Sequence, residues 1–440
     1  RRVVDLQNRV PAAGVSPGNN RPVSRYVYIA VLVLAGETVF GLPFATARFF
    51  RPTMLEVFGF SNTQLGDLFA VYGITAMLCY FPGGAVADRY SARTLLATSL
   101  IATGLGGLYM ATIPGALGMA VLYGFWGVTT IFLFWGALIR ATREWGGGTE
   151  QGMAFGLLEG GRGAVAAVVA SMLVGVLAFY MPDDAAQATA AERLAGFRMV
   201  ILGYSAITIA VGVLAWMLVS PPEEPGARRA KILPNMRLVL GSPVIWAQAA
   251  IVVCAYCIYK AADYYSLYLV GVMGMDEVEG ARVASWGAYI RLPAAILAGL
   301  AADRFDATRS IGVIFGAAML AYIVLSLVVP QSTAASFIYL NLALSVIAAF
   351  ALRGIYFALL QETRTPRHIT GAAVGMVSVV GFTPEIFFAP IAGRILDATP
   401  GAGGFHGLFA LLTAIAATGV AVVVILSWLK RNNKAADLVT

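Results

Sequence analysis

Ionisable residues lie inside long apolar stretches of this chain, where a charge is costly. A charge near the centre of a bilayer usually pairs with an opposite charge, faces a cavity, or carries ions or protons. Arg48 and Arg140 lie near the two ends of this region and make its summed charge positive. The deep set balances four basic residues against four acidic ones: Arg162, Lys260, Arg291, Arg353, Glu37, Glu159, Asp263 and Glu385.

Two of these pairs are three residues apart, which places both members on one face of a helix. Glu159 and Arg162 form one pair, and Lys260 and Asp263 form the other. Side chains at this spacing are neighbours on a helix, so each pair can form an ion pair. The glycines around Glu159 also allow two helices to approach closely. The Glu159–Arg162 pair is therefore either a structural salt bridge at a helix contact or part of a transport site.

If those pairs are satisfied internally, Arg291 and Arg353 remain to bind an anion, and Glu37 and Glu385 remain to carry protons. Arginine presents a planar fork of donors that matches carboxylate or phosphate groups. Glu37 and Arg48 lie on one side of a helix but about 16 Å apart along it, at 1.5 Å per residue. Glu37 therefore needs a partner on another helix, whether for proton coupling or for a simple helix contact.

A polar and aromatic stripe marks one face of the seventh apolar stretch. Tyr256, Lys260, Asp263 and Leu267 share that face, and Tyr259, Tyr264 and Tyr265 flank it. Such a stripe is typical of a cavity wall rather than of a lipid-facing surface. The candidate substrate-binding residues are Arg48, Arg162, Tyr256, Lys260, Arg291 and Arg353. The candidate proton-coupling residues are Glu37, Glu159, Asp263 and Glu385.

The elements that carry these residues are membrane helices. Of the 440 residues, 59% are hydrophobic and 12% are charged, and the mean hydropathy is +0.79. A soluble domain carries about twice that share of charged residues. The apolar runs reach about 20 residues, the length that a helix needs to cross a bilayer. The sequence therefore predicts an all-α integral membrane protein.

Turn signals divide the chain into twelve predicted helices in two groups of six. Most of the 30 lysines and arginines then fall in the two tails and in the loops on the same side. The excess of basic residues on that side predicts that both termini are cytoplasmic. The predicted domains are a tail at 1–25, a first bundle at 26–220, a linker at 221–242, a second bundle at 243–429 and a tail at 430–440.

A charged hairpin occurs twice, once in each predicted bundle, and indicates an internal repeat. Each copy has a glycine, an Asp-Arg pair and a further arginine. The copies are Gly84, Asp88, Arg89 and Arg93, and then Gly299, Asp303, Arg304 and Arg309. The segment 134–143 also parallels 355–364. Two parallel repeats of hydrophobic helices are a known architecture of secondary transporters.

With these hairpins, twelve helices and a central linker, the chain resembles a major facilitator superfamily (MFS) transporter over essentially its whole length. The family pattern has Gly and Arg where Ser91 and Ala92 stand here, and the second copy carries Asp306 and one added residue. The resemblance implies two pseudo-symmetric bundles around a central cavity. It also implies that the hairpins form a cytoplasmic gate that favours the outward-open state. The alternative is that their arginines are ordinary inside-positive anchors.

Helix-breaking residues predict kinks in several helices. Pro384 directly precedes Glu385, so a bend there could couple this carboxyl to conformation; static kinks are the alternative. The other breakers are Gly41, Pro43, Pro82, Pro293 and Pro390.

Other site types have little support in the sequence. Cys254 and Cys257 have a redox spacing, but inside a membrane helix they are expected to serve packing. His368 and His406 lie near helix ends. We expect no enzyme activity, catalytic residue, metal, cofactor or nucleic-acid partner.

Three functions fit the sequence. The leading one is a monomeric secondary active transporter of a small organic anion in a bacterial inner membrane, coupled to protons or a counter-anion. The anion would be a carboxylate, a sulfonate or a phosphorylated metabolite. The alternatives are a proton-driven exporter of hydrophobic or cationic compounds and a transporter-like membrane sensor.

Overall fold

The structure is a computed structural model that describes residues 25–147, 150–219, 238–329, 332–356, 358–362 and 370–437. The predicted N-terminal tail, apart from Arg25, and most of the predicted linker lie outside the described residues. The same holds for His368 and for 363–364, which end the second copy of one repeat.

The described secondary structure is helical throughout, as the sequence predicts. The helices are α1 Arg25–Phe49, α2 Asn62–Arg89, α3 Ala92–Met110, α4 Ala116–Gly146, α5 Gln151–Tyr180, α6 Ala190–Leu218, α7 Pro243–Gly271, α8 Glu277–Phe305, α9 Ala307–Leu327, α10 Ala335–Ile355, α11 Thr370–Gly381 with Pro384–Ala398, and α12 Ala402–Asp437. Short helices cover Arg51–Phe58, Ala185–Gln187 and Ala358–Glu362. Within the described ranges, ten helices are long and apolar enough to span a bilayer, and α2 makes eleven if its bent pieces count as one span.

Polar residues begin several helices by satisfying their free backbone N–H groups. Ser61 accepts a hydrogen bond from the backbone of Gln64 at the start of α2, and the Gln64 side chain accepts one from the backbone of Ser61. Thr189 and Glu192 form the same reciprocal box at the start of α6. Capping of this kind fixes where a helix begins.

Several helices depart from regular geometry next to the centre of the molecule. The wide π-helical turns cover Gly41–Ala45 in α1 and Val128–Trp135 in α4, whereas Ala261–Tyr264 in α7 is a tight 3₁₀ turn. α2 is bent by 55° between Tyr80 and Pro82, and α11 is interrupted between Gly381 and Pro384. Pro43, Pro82 and Pro384 therefore lie at irregular positions. Pro293 and Pro390 lie inside continuous helical segments.

The two groups of six helices pack against each other mainly through α2 with α11 and α5 with α8. Glycine makes the first contact close, because a Cβ on Gly66 would lie only 2.4 Å from the backbone oxygen of Ala389. A Cβ on Gly393 would lie 2.4 Å from the oxygen of Asn62. We call α1–α6 the first half and α7–α12 the second half.

Successive helices run in opposite directions, so Arg25 and Asp437, at the ends of the described chain, lie on one face of the molecule. We call this the terminal face. Arg25 confirms the arrangement locally, because it donates to the backbone oxygen of Trp145 at the end of α4 and pairs with Glu150 before α5. The loops that join α1 to α2, α5 to α6, α7 to α8 and α11 to α12 lie on the opposite face.

Candidate functional site

A central cavity of about 130 Å³ lies between the two halves. Its walls come from α1, α2, α4 and α5 in the first half and from α7, α8, α10 and α11 in the second. All six predicted substrate-binding residues line it. Glu37 and Glu385 line it as well, whereas Glu159 and Asp263 form ion pairs with residues that do.

Two carboxylates and two arginines form a closed ring of ion pairs, which we call the quartet. Arg162 Nη1 lies 2.7 Å from Glu159 Oε1, and Arg291 Nη2 lies 2.9 Å from Glu159 Oε2. Glu37 Oε2 completes the ring, at 3.3 Å from both Arg162 Nε and Arg291 Nη1. The quartet joins the halves, because only Arg291 belongs to the second. The prediction that Arg291 is left without a carboxylate is therefore wrong, since both of its partners come from distant helices.

Glycines make room for the long arginine side chains of the quartet. A Cβ on Gly163 would lie 2.9 Å from Arg291 Cδ, and a Cβ on Gly36 would lie 3.1 Å from Arg162 Cδ. The aliphatic parts of both arginine side chains therefore run along helix backbones that side chains would otherwise cover. The glycine-rich segment of α5 thus serves the ion pairs directly.

A second set of charges centres on Lys260, and we call it the lysine network. Lys260 Nζ lies 2.8 Å from Asp263 Oδ2 and 3.3 Å from Glu385 Oε2. Asp263 Oδ1 also accepts a 2.6 Å hydrogen bond from Arg48 Nε of the first half. The hydroxyl of Tyr256 donates to Glu385 Oε1. Each carboxylate in this network therefore has two donors.

Burial explains why these partners are needed. The side chains of Lys260 and Asp263 are 1% and 3% exposed. Removing one partner of a buried ion pair leaves an uncompensated charge and costs about 3–5 kcal/mol.

The predicted polar stripe is only partly correct, because α7 tightens at Ala261–Tyr264 and neither Tyr264 nor Leu267 lines the cavity.

Arg353 differs from the other cavity cations. Within the described part of the chain it has no carboxylate at ion-pair distance, and its buried Nε and Nη1 atoms have no hydrogen-bond partner. Its guanidinium carbon lies 4.5 Å from the centre of the Tyr259 ring and 5.9 Å from that of Tyr256. Cation–π contacts hold this group but do not neutralise it. A positive charge and free donors thus remain beside the cavity.

Aromatic rings supply most of the remaining wall. Tyr259 also lies beneath Arg48, with 4.7 Å between the guanidinium carbon and the ring centre. The aromatic lining residues are Phe40, Phe44, Phe49, Tyr72, Tyr80, Trp135, Tyr256, Tyr259, Tyr265, Phe350 and Phe382. A cavity with apolar walls and a few fixed polar groups is typical of a site for a small organic molecule.

The halves are joined firmly on the opposite face. Asp397 at the end of α11 accepts hydrogen bonds from the backbone N–H groups of Asn62 and Thr63 at 3.1 and 2.7 Å. A residue of the second half thus caps the first turn of α2. Arg193 of α6 pairs with Glu277 of α8 at 2.8 Å. These contacts close the cavity on the opposite face.

On the terminal side of the cavity, the halves meet where Tyr80 stacks on Phe382, whose ring centres are 6.4 Å apart. Among the described residues, every hydrogen bond and ion pair that joins the halves lies at the cavity or towards the opposite face. Within the described part of the chain, the polar contacts between the halves therefore lie away from the terminal face.

The predicted gate residues lie on the terminal face, and with the described residues they form no hydrogen bond or ion pair between the halves. A Cβ on Gly84 or on Gly299 would meet no other atom within 4 Å. Arg93 stacks on Trp216 within the first half, at 4.5 Å, and Arg304 stacks on Phe305 at 5.5 Å. The remaining gate residues are Asp88, Arg89, Asp303 and Arg309, of which Arg309 pairs with Asp306 at 3.3 Å. Within the described ranges, the two hairpins therefore form no latch with each other.

Arg140 does not belong to the cavity, which corrects its predicted position. Its guanidinium donates to the backbone oxygens of Ala87 and Tyr90 at the end of α2. It therefore ties α4 to α2 on the terminal face, and the expected contribution of Arg140 to the charge of the cavity is absent.

Sequence reasoning missed the residues that close the opposite face. Asp397 and Arg193 stand near helix ends, where polar residues are common, so nothing in the sequence marks their partners. Arg51 was missed as well. It is fully buried, donates from Nε to Asn62 Oδ1 at 3.0 Å, and lies 4.2 Å from the centre of the Tyr264 ring. Its position just after an apolar run was the one available signal.

Comparison with known proteins agrees with this architecture. Two relatives from Escherichia coli strain K12 are each 28% identical to this chain: the inner membrane protein YqcE over 408 residues and the inner membrane protein YihN over 419 residues. The first alignment covers 91% of this chain and 93% of YqcE, and the second covers 91% and 95% of YihN.

Solved structures share the fold at low sequence identity. A bacterial homologue of the human lysosomal transporter Spinster, in an inward-facing and occupied conformation, superimposes with a TM-score of 0.71 at 16% identity. That match covers 93% of this chain and 98% of the homologue. A mutant of the nucleoside transporter NupG also gives a TM-score of 0.71, at 14% identity, over 92% of this chain and all of NupG.

A family model also matches this chain. The model of the Major Facilitator Superfamily matches residues 33–383, which include both hairpins, the quartet and the lysine network apart from Glu385. With twelve helices and a central cavity between two halves, this multi-pass membrane protein belongs to the Major Facilitator Superfamily of transporters.

Proposed function

We propose that this protein transports a small organic anion across a bacterial inner membrane by alternating access. The observation that carries the proposal is Arg353, the cavity cation that lacks a carboxylate partner among the described residues. An unpaired guanidinium in an aromatic cavity favours a ligand with an anionic group and an apolar or ring-shaped body. Carboxylates, sulfonates and phosphorylated metabolites have such groups.

The contacts that join the halves suggest how the protein changes state during transport. If the termini lie in the cytoplasm, the arrangement seen here would be the one open to the cytoplasm, because the described polar contacts between the halves lie at the cavity and towards the opposite face. Opening to the other side would break the contacts of Asp397 and Arg193 and release the α2–α11 contact. The gate hairpins would then come together on the cytoplasmic side, with Asp88 and Asp303 as the carboxylates that bridge helix ends. We propose this exchange of contacts as the transport cycle.

Coupling to protons or to a counter-anion would use the carboxylates that face the cavity. Glu37 contacts both arginines of the quartet, and Glu385 contacts Lys260. A proton on either carboxylate would release a cation and change the charge that the anion meets. Glu159 and Asp263 would act through the cations that they bind.

Substitution of Arg353 tests the site. Arg353→Gln removes the charge and keeps a polar side chain of moderate length. Hydrogen bonds to a charged group contribute about 1.5–3 kcal/mol, so we expect anion affinity to fall about tenfold or more. Arg394→Gln is the matched control, because Arg394 lies outside the cavity and its pair with Asp67 is exposed.

The assay is a thermal-shift screen of purified protein with small anions, sugars and lipophilic cations, followed by uptake into proteoliposomes. A ligand that binds the folded state raises its melting temperature. Equal anion affinity in wild type and Arg353→Gln would reject the role of Arg353. Uptake that responds neither to a pH gradient nor to preloaded anion would reject the coupling.

Stabilisation by lipophilic cations instead of anions would favour an exporter of hydrophobic or cationic compounds. Anion binding without flux would favour a membrane sensor.

A further inference from the structure

We infer that the cavity selects a singly charged anion over a doubly charged anion of the same shape. This inference rests on the proposed function and narrows its substrate class. It comes from the grouping of the buried charges in the cavity. Two groups of charges each sum to zero, and the inference depends on the charge that belongs to neither group.

The quartet carries no net charge. Its two carboxylates, Glu37 and Glu159, each contact both Arg162 and Arg291 at distances between 2.7 and 3.3 Å. Each arginine therefore already has two negative partners. An incoming anion would have to displace a carboxylate to use either one, and the displaced carboxylate would then be unpaired in a site of low polarity.

The lysine network is neutral by the same reasoning. Asp263 is shared by Lys260 and Arg48, and Glu385 is shared by Lys260 and Tyr256. The two positive and two negative charges balance. Arg48 and Arg353 both contact the ring of Tyr259, but the charge of Arg48 is matched by Asp263 at 2.6 Å.

Among the described charges of the cavity, one positive charge is left, on Arg353. The guanidinium of Arg353 can meet two oxygens of a carboxylate or of a sulfonate, which would neutralise the described charges of the cavity. The neighbouring rings of Tyr256 and Tyr259 offer no second charge. A doubly charged group would leave one negative charge without a partner, and an unpaired charge away from water is costly.

Protonation of a cavity carboxylate would allow a doubly charged ligand to bind. If Glu37 or Glu385 took up a proton, the cavity would carry one more positive charge and would match a dianion. Removing one of these carboxylates by substitution should have the same effect. The charge-balance rule therefore predicts the selectivity of the wild type and also how one substitution changes it.

Phenyl sulfate and phenyl phosphate form a matched pair of probes. Phenyl sulfate carries one negative charge across the working pH range, whereas the second ionisation of a phosphate monoester has a pKa of about 6. Binding to the purified full-length protein is measured by calorimetry at pH 8 and pH 5. At pH 8 we expect phenyl sulfate to bind at least tenfold more tightly. At pH 5, where phenyl phosphate is mostly singly charged, we expect the two affinities to agree within threefold.

The variant Glu385→Gln tests the rule independently at pH 8. Its cavity would carry two uncompensated positive charges, so we expect the preference for phenyl sulfate to shrink at least fivefold. Glu37→Gln provides the same test in the quartet if Glu385→Gln does not fold. A preference that stays unchanged in the folded variant would overturn the inference.

The outcomes separate this inference from the proposed function. Equal binding of both probes to the wild type at pH 8 would overturn the charge selectivity and leave anion transport in place. If phenyltrimethylammonium binds and both anions fail to bind, anion transport itself is rejected, together with the inference.

Discussion

Asp397 caps the start of α2, and we expect this cap to stabilise the state in which the opposite face is closed. Removing it should therefore lower the ratio of closed to open molecules. Asp397→Asn keeps the shape of the side chain and removes its charge. The carboxylate accepts from the backbone N–H groups of Asn62 and Thr63 at 3.1 and 2.7 Å and from Asn62 Nδ2 at 3.3 Å. An amide retains one acceptor oxygen, so some of the hydrogen bonds that Asp397 accepts are lost in Asp397→Asn.

The magnitude follows from the contacts. Hydrogen bonds to a charged group contribute about 1.5–3 kcal/mol, and a carboxylate at a helix N-terminus gains about 0.3–1 kcal/mol from the helix dipole. Asp397 is partly exposed, which places the loss near the lower end, at about 1.5–2 kcal/mol. Because 1.4 kcal/mol is a tenfold change, the ratio of closed to open molecules should fall about tenfold to thirtyfold.

Electron–electron double resonance measures this ratio directly. Spin labels at Thr112 and Thr399, two exposed positions on the opposite face, report the separation of the halves after the three cysteines are replaced. We expect Asp397→Asn to increase the population at the longer distance.

The control is Asp67→Asn, on the same face. Asp67 pairs with Arg394 at 2.9 Å, but the two side chains are 51% and 57% exposed, so the pair contributes about 0–1 kcal/mol. A distance distribution that is unchanged in Asp397→Asn and shifted in Asp67→Asn would refute the reasoning.

Two further predictions concern packing and pH. Gly66→Ala should also shift the distance distribution towards the open state, because its Cβ would lie 2.4 Å from the oxygen of Ala389, whereas Gly175→Ala, with open space around it, should not. Partial burial raises the pKa of Glu362, but hydrogen bonds from Lys430 and Thr308 outweigh this and hold the pKa below its usual range. The stabilisation by ionised Glu362 is therefore present at neutral pH and is lost as the pH falls through the lowered pKa. Thermal unfolding should show Glu362→Gln to be less stable than wild type at pH 7, with a difference that shrinks as the pH falls through the lowered pKa of Glu362. A constant difference across this range would contradict the role of the charge.

The sequence predicts what depends on local spacing. Lys260 and Asp263 pair because residues three apart adjoin on a helix, and Glu159 and Arg162 pair for the same reason. The twelve helices follow from the length of each apolar run. These inferences need no knowledge of how the helices are arranged, which explains why they agree with the structure.

The sequence does not predict contacts between distant helices. Arg291 lies 254 residues from Glu37 and 132 from Glu159 along the chain, so its pairing depends on the packing of α8 against α1 and α5. Asp397 reaches Thr63 across 334 residues. Which arginine remains unpaired is therefore decided by tertiary structure, and the sequence retained both Arg291 and Arg353 as candidates.

The wide turn at Gly41–Ala45 changes the relation between Glu37 and Arg48. In a regular helix each residue turns the chain by about 100°, so the two side chains would keep a fixed angle. A π-helical turn holds one extra residue, and such a residue can be absorbed or moved along the helix. Absorbing it would rotate the segment with Arg48 against the segment with Glu37 by about 100°. Because Glu37 belongs to the quartet and Arg48 to the lysine network, such a rotation would turn the two charge groups of the cavity relative to each other.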